Sequence, residues 1–480
     1  MTAIPAGFSG FNLAQPLNGV EYFDQKFITA ALSLKAGWLR FPAGTASMAF
    51  DWNAGHVNQA WLQSLTTGSA PPVGPQVGGM LTTAQQLTQA KGGVWFSHFI
   101  TFAQTLGAKG TICFNGFTDT NPGSATQMAM AATGLNVLEW ELSNEPYLFP
   151  LLFPTAAAYA DAMYPYFGNV LAGTPSATVG LSYAGQYDGS GVDHTAWDTG
   201  LQNYTNRYWK GATLHVYPIT STFAANATVL QLNGILEHAS RDYINSYLVP
   251  KVGTNTPIFV TEMNCCSTPK NNPFLTYLYN GIFLAEYTAR LSAVPNVKAV
   301  GINQLYSENN DNHGMIQSMN DFESYLLAQV AADPNYSTDT STDPNTQFVF
   351  YTSAPGLAMT VANQAINSGT QIWQTTVTGG RTVAISGFDG NPIPALYAQA
   401  YRGKNGNPYL LITNKSAYSQ GVTIQVDGAK VNVPLSMTYV SSSNAAAANT
   451  AQSPNTVQIV TANPANPFNL GPYSVATVTW

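Results

Sequence analysis

The segment Asn136 to Phe149, NVLEWELSNEPYLF, decides how the chain is read. Its apolar, β-prone first half runs into Ser-Asn-Glu-Pro, so a strand bound for a buried sheet ends where an amide and a carboxylate stand side by side. An ionisable group is tolerated there when it faces a cleft, and in parallel α/β folds the clefts lie at the carboxyl ends of the strands. Glu145 is therefore the first candidate for chemistry. The structural alternative is a strand-to-helix turn capped by Asn144 and opened by Pro146.

Thr256 to Asn264, TPIFVTEMN, repeats the pattern, with a short apolar run ending in Glu262. Hydrolysis of a glycosidic bond requires two flanking carboxyl groups, one to protonate the leaving oxygen and one to attack or to activate water. Two strand-end glutamates, far apart in sequence, supply such a pair.

Asn-Glu-Pro closing a fourth strand and a glutamate closing a seventh resemble the large superfamily of retaining (β/α)8 glycoside hydrolases. Within it, WELSNEP with LRFPAGT (Leu39 to Thr45), LHVYP (Leu214 to Pro218) and the closing LGPYSVATVTW (Leu470 to Trp480) most resembles glycoside hydrolase family 79, the heparanase and β-glucuronidase family. The resemblance spans nearly the whole chain. It implies that Glu145 is the general acid/base and Glu262 the nucleophile, and that Asn144 binds the sugar 2-hydroxyl. His215 and Tyr217 then stand beside the nucleophile, and Arg40 contacts it. For His215 a satisfied buried histidine is the equal alternative. Arg40, inside a strand, would be costly to bury without a partner.

One departure bears on the substrate. Glucuronidases of the family follow the nucleophile with a Tyr-Gly-Gly type segment whose backbone amides hold the uronate carboxylate, whereas Glu262 is followed by MNCCSTPKNNPF. Lys270 or the loop backbone would have to replace it, or the sugar is neutral. The expectation is thus a retaining, exo-acting β-glucuronidase. A β-glycosidase or endo-hydrolase acting on a neutral-sugar glycan, or an inactive carbohydrate-binding protein, stands as the alternative.

In chain order, strands alternate with helical patterns. Strands are expected at Gly7 to Ala14, Trp38 to Gly44, Gly110 to Phe117, the opening segment, Thr178 to Gly185, Thr213 to Pro218, Pro257 to Glu262 and Val297 to Glu308. Helical stretches fall near Phe23 to Leu34, Trp95 to Leu106, Leu275 to Leu291 and Pro355 to Asn367, and the Gly- and Pro-rich Thr66 to Gly79 reads as a loop. This predicts an α/β fold, a (β/α)8 barrel over residues 1–369 with a loop insertion at 309–350. From about Thr370, short alternating runs separated by Gly, Asn and Pro predict an antiparallel β-sandwich over 370–480, to which the few residues before the first strand add almost nothing.

Past the predicted strand ends lie Asn12, Thr45, Asn115, Tyr183, Asn264, Gln304 and Tyr306, positioned to meet a sugar's hydroxyls; position alone does not separate binding from loop structure. Of these, Asn12, Asn115, Asn264 and Tyr306 join Asn144, Tyr217, His215 and Arg40 as candidate substrate-binding residues. Neither a Gly-rich nucleotide motif nor a Gly-x-Ser-x-Gly elbow occurs, and the six histidines and three cysteines show no close ligand spacing, so no cofactor and no metal are expected.

The chain has 480 residues, of which 45% are hydrophobic and only 9% charged, so a large core is available and neutral polar residues do the solvating. With 17 Lys plus Arg against 24 Asp plus Glu, the net charge of -7 offers no basic footprint for nucleic acid or for a polybasic membrane contact. The partner expected is a carbohydrate substrate; nothing bears on oligomeric state. Adjacent Cys265 and Cys266 stand too close for an ordinary bridge, which leaves one long-range pair with Cys113 open. No window is a membrane span or a signal peptide. Because polysaccharide is met outside the cytoplasm, the expectation is a secreted or periplasmic enzyme in mature form.

Overall fold

Eight short parallel strands close on themselves: β1 (Ser9–Asn12), β2 (Trp38–Phe41), β3 (Lys109–Phe114), β4 (Val137–Leu142), β5 (Val179–Tyr183), β6 (Gly211–Val216), β7 (Ile258–Met263) and β8 (Val297–Ile302). Each pairs with its neighbour in sequence, and β8 returns to β1, so the barrel has no edge. The computed structural model describes residues 2–42, 44–186, 191–219, 228–238, 243–267, 272–308, 311–338 and 348–480. Among them no helix is long and apolar enough to cross a membrane.

Side chains fill the barrel. Trp38 on β2 is fully buried, and a Cβ at Gly301 on β8 would lie 2.4 Å from its indole. A glycine there leaves room for the ring that plugs the barrel. Above it the interior turns polar, because Asn12, Arg40, Glu141, His215 and Glu262, on five different strands, are joined to one another and buried. A layer of this kind is stable only if nearly every charge in it is paired.

Two expected elements differ from what is observed. The stretch Thr66 to Gly79 is a loop only in part, because Pro75 opens a helix over Pro75–Ala90. Proline suits the first helical position, and Leu81, Ala84 and Leu87 fix the helix by burial despite Gly78 and Gly79 near its start. The run Val297 to Glu308 is likewise not one strand. β8 stops at Ile302, and Tyr306–Ser307 pairs instead with Ile316–Ser318, which pairs with Phe350–Thr352. The polar stretch 309–350 thus holds a strand and a helix, Phe322–Ala332; its low-complexity part from residue 339 onward falls outside the described residues.

Seven further strands form an antiparallel sheet in the order Thr2–Ala3, β9 (Gly369–Trp373), β10 (Leu396–Gly403), β11 (Pro408–Asn414), β14 (Ser474–Thr479), β12 (Ser436–Ser441) and β13 (Val460–Ala462). The chain's first residues therefore do add to this sheet, with Thr2 opposite Ile372 and Ala3 opposite Gln371, because main-chain pairing at a sheet edge needs only a two-residue extension. One face packs Leu410, Ile412, Met437 and Val478 against Phe468 and Leu470 of a smaller ladder. The other lies on the barrel helix Ala354–Ile366, where Thr477 Oγ1 donates to the Val361 carbonyl at 2.6 Å.

Candidate active site

The site is built on Arg40. Its guanidinium is wholly buried and bonds Glu141 bidentately, Nε to Oε2 at 2.8 Å and Nη2 to Oε1 at 2.7 Å. Nη1 reaches Glu262 Oε1 at 2.5 Å and Asn12 Oδ1 at 3.2 Å, while Nη2 also reaches Asn144 Oδ1 at 2.8 Å. One planar fork thus holds side chains from β1, β4, the β4 exit and β7 in fixed register, a task for which a lysine has neither the plane nor the donors.

Glu262 accepts from Arg40 and, at 3.4 Å, from Asn12 Nδ2 on one oxygen, and from the Tyr217 hydroxyl at 2.7 Å on the other. Burial alone would push its pKa up. His215, Arg40 and the Tyr217 bond outweigh that and hold it below the usual carboxylate range, so Glu262 is an anion with both oxygens oriented. Gly44, past β2, passes so close that a Cβ would sit 2.5 Å from Glu262 Oε1, which makes a side chain there incompatible with the carboxylate.

Glu145 is held differently. The chain leaves β4 through Ser143 at φ 75° and Glu145 at φ 48°, left-handed conformations uncommon for non-glycine residues and found where surrounding structure over-determines them. This turn places Asn144 on Arg40 and Glu145 Oε1 at 2.8 Å from His215 Nδ1, with the Tyr147 hydroxyl donating to the same oxygen at 3.3 Å. The Glu145 side chain retains 20% exposure against 10% for Glu262, so it stands nearer the mouth. His215 Nε2 lies 3.1 Å from Thr261 Oγ1. Burial lowers the imidazole's pKa, but the carboxylates of Glu262 and Glu145 overcome it and the net shift is upward.

Glu145, His215 and Glu262 bring one ligating atom each to within 4.8 Å of one another. That spacing also suits a divalent cation, but Arg40 and Tyr217 already occupy the two oxygens of Glu262, and the guanidinium supplies the positive charge a metal would bring.

Five candidates from the sequence come together here with Glu145 and Glu262 at their centre: Asn144, Tyr217, His215, Arg40 and Asn12 around the two carboxylates. Three candidates do not join them. Asn115 folds back on its own loop, accepting from the amides of Phe117 and Thr118. Asn264 is wholly buried, donating to the Asn303 carbonyl and accepting from the Cys265 amide and Asn280. Tyr306 is buried against Phe27 and Phe350, because the chain has already left the barrel when it reaches that residue. Lys270 lies outside the described residues. Glu141, Thr261, Tyr147 and Asn303 belong to the network and were not selected from sequence; for Glu141 the signal was present, a second glutamate within WELSNEP at strand alternation from Glu139.

No protein-family model and no curated protein matches the chain. Solved structures do. A family 51 α-L-arabinofuranosidase from Thermotoga petrophila superposes with a TM-score of 0.65 at 16% identity, covering 100% of this chain and 98% of that one. A family 51 α-L-arabinofuranosidase from Bifidobacterium longum gives 0.67 at 12%, covering 100% and 97%. A 4-O-α-L-rhamnosyl-β-D-glucuronidase from Fusarium oxysporum gives 0.59 at 15%, covering 100% and 97%. The fold is that of (β/α)8 glycoside hydrolases carrying a β-sandwich. At these identities the likeness speaks for fold alone, and family 79 is not singled out by it.

Proposed function

We propose that this chain is a retaining glycoside hydrolase that cleaves a β-glycosidic bond by double displacement, with Glu262 as nucleophile and Glu145 as general acid/base. The observation that carries this reading is the Glu145 and Glu262 pair: oxygens within 4.8 Å at the carboxyl end of the barrel, in two different environments. Retaining enzymes hold their carboxyl groups about 5–5.5 Å apart, leaving no room for the water an inverting enzyme needs. Glu262, ionised and aimed by Arg40 and Tyr217, attacks the anomeric carbon. Glu145 delivers a proton to the departing oxygen and then takes one from the incoming water. Asn144, fixed by Arg40, offers its amide N–H to the sugar 2-hydroxyl, a bond that strengthens as positive charge develops on the ring.

The finer reading is an exo-acting β-glucuronidase working outside the cytoplasm. Its support is the sequence resemblance to family 79 and the printed activity of the Fusarium neighbour. A second reading, a neutral sugar in the same site, has its own observation. Past β8, where a uronate carboxylate would need donors, Asp311 accepts from Gln304 Nε2 at 3.0 Å and stands 3.5 Å from His313 Nδ1, whose ring is 6.4 Å from that of Tyr217. A carboxylate there accepts from sugar hydroxyls and repels a uronate.

A panel of aryl β-glycosides separates the two. The glucuronide should exceed the matching glucoside, galactoside and xyloside by at least about tenfold in kcat/KM, some 1.4 kcal/mol. A neutral glycoside that is hydrolysed equally well or better overturns the glucuronidase reading and leaves the two-glutamate mechanism standing. Release of the α-anomer first, seen by NMR, would overturn the mechanism itself.

A further inference from the structure

Four residues past the start of the Thr-Glu-Met end of β7, the chain places Cys265 and Cys266 together at the wall of the site. Both are wholly buried, and the Cys265 thiol points at the Cys266 sulfur across 3.8 Å. Their peptide is also a junction. The Cys265 carbonyl accepts from the Ile219 amide at 2.9 Å, two residues beyond Tyr217. The Cys266 carbonyl lies 3.0 Å from His313 Nε2, and since a carbonyl only accepts, that nitrogen carries a proton. Asn272 Nδ2 donates to the Cys266 sulfur at 3.1 Å. The pair thereby ties together the exits of β6, β7 and β8.

We propose that Cys265 and Cys266 are a covalent modification site, closing a vicinal disulfide when the protein folds in an oxidising compartment. The oxidant is a small-molecule or protein disulfide of that compartment. The thiolate of one cysteine attacks it and releases one thiol; the second cysteine then displaces the other. Two S–H bonds and the oxidant's S–S bond are broken, one S–S bond forms, and the two protons leave on the two reduced thiols. Adjacent α-carbons, about 3.8 Å apart, are closer than the usual ~4.4–6.8 Å of a bridged pair, so the small ring is strained and more readily reduced than an ordinary structural bridge. Burial pushes the Cys265 thiol well above its ordinary pKa, which makes the reduced pair inert once packed and assigns the step to folding, before the loop closes. The oxidised ring fixes the peptide that carries the Ile219 and His313 bonds.

The test is a thiol count and does not depend on the glycosidase reading. The protein secreted through an oxidising compartment, and the same protein made in a reducing cytosol, unfolded and then refolded with oxidised glutathione present, are unfolded in guanidinium, alkylated with iodoacetamide and mapped by mass spectrometry. Each should carry one label, on Cys113, with the Cys265–Cys266 peptide lighter by two hydrogens and unlabelled. Cys113→Ser should leave no label at all, and Cys265→Ser should expose Cys266 to labelling. Three labels in both preparations, a glutathione adduct in place of the ring, or a thiol released by Cys113→Ser would overturn the proposal.

Discussion

His215 Nδ1 lies 2.8 Å from Glu145 Oε1 and 3.9 Å from Glu262 Oε2, so a single imidazole faces both carboxylates. His215 has its pKa raised, against the opposing effect of burial, by Glu262 and Glu145. The alkaline limb of kcat/KM should therefore report loss of the imidazolium proton. His215→Asn removes the imidazole and should abolish or displace this limb. A limb that stays in place shows that the imidazole takes no part in setting it. The stability contribution has a defined sign: a raised pKa stabilises the fold fully below the unfolded value of about 6.5 and is lost as pH rises through the folded value. In the wild type, but not in His215→Asn, Tm should fall across that interval.

The two glutamates should separate by leaving group. Glu262→Gln removes the nucleophile and should cost at least about a thousandfold in kcat on every substrate. Glu145→Ala should cost about 10²–10⁴ where the leaving group needs a proton and far less on activated aryl glycosides, with added azide restoring turnover as the glycosyl azide. Equal losses on activated and unactivated leaving groups, without rescue, would refute the acid/base role.

Glu141 touches no solvent and acts through Arg40. In Glu141→Gln the guanidinium charge is answered by Glu262 alone, which is then held more tightly and attacks less readily. Kcat should fall about 10–100-fold with KM within about twofold, the pattern of an interaction that matters in the transition state. Removing one partner of a buried pair also costs about 3–5 kcal/mol of stability, to be read from denaturant unfolding. Unchanged kcat with lost stability would make Glu141 a packing residue only.

What could be read from the sequence followed from how far each residue's partners lie along the chain. Glu145 and Glu262 stood out because a carboxylate interrupts an apolar strand, a local signal, and the barrel followed from the same alternation. Asn115 and Asn264 have the composition of sugar-binding residues but spend their amides on nearby backbone, as short polar side chains commonly do. Nothing in a one-dimensional reading distinguishes the two uses. Glu141 shows the opposite case: its place in the strand alternation is visible, but its partner Arg40 lies two strands away across the Lys109–Phe114 strand, and only the curved sheet brings the two together. Tyr306 lies away from the site because β8 ends at Ile302 and the chain joins another sheet before reaching it; a run of apolar residues does not mark where a strand changes sheets.

The barrel and the antiparallel sheet share one buried charge cluster, and it gives the last prediction. Glu286, on the barrel helix Leu278–Ser292, accepts from Thr413 Oγ1 at 2.6 Å and Lys415 Nζ at 2.8 Å, both contributed by β11 and the residue just past it, and pairs with Arg290 at 2.9 Å. Burial would raise its pKa; Lys415 and Arg290 outweigh that and lower it. A carboxylate with a depressed pKa contributes stability above its unfolded value of about 4.3, and that stability is lost as pH falls through the folded value. Lys415→Met removes one cation and leaves Glu286 buried with Arg290 alone, which should cost about 3–5 kcal/mol near pH 7 and less at pH 3, where the carboxyl is closer to neutral in both proteins. Because neither residue contacts the site, kcat and KM at low temperature should match those of the wild type. The deciding measurement is denaturant unfolding of both proteins at the two pH values: a stability difference independent of pH would show that Lys415 acts by packing its stem rather than by its charge.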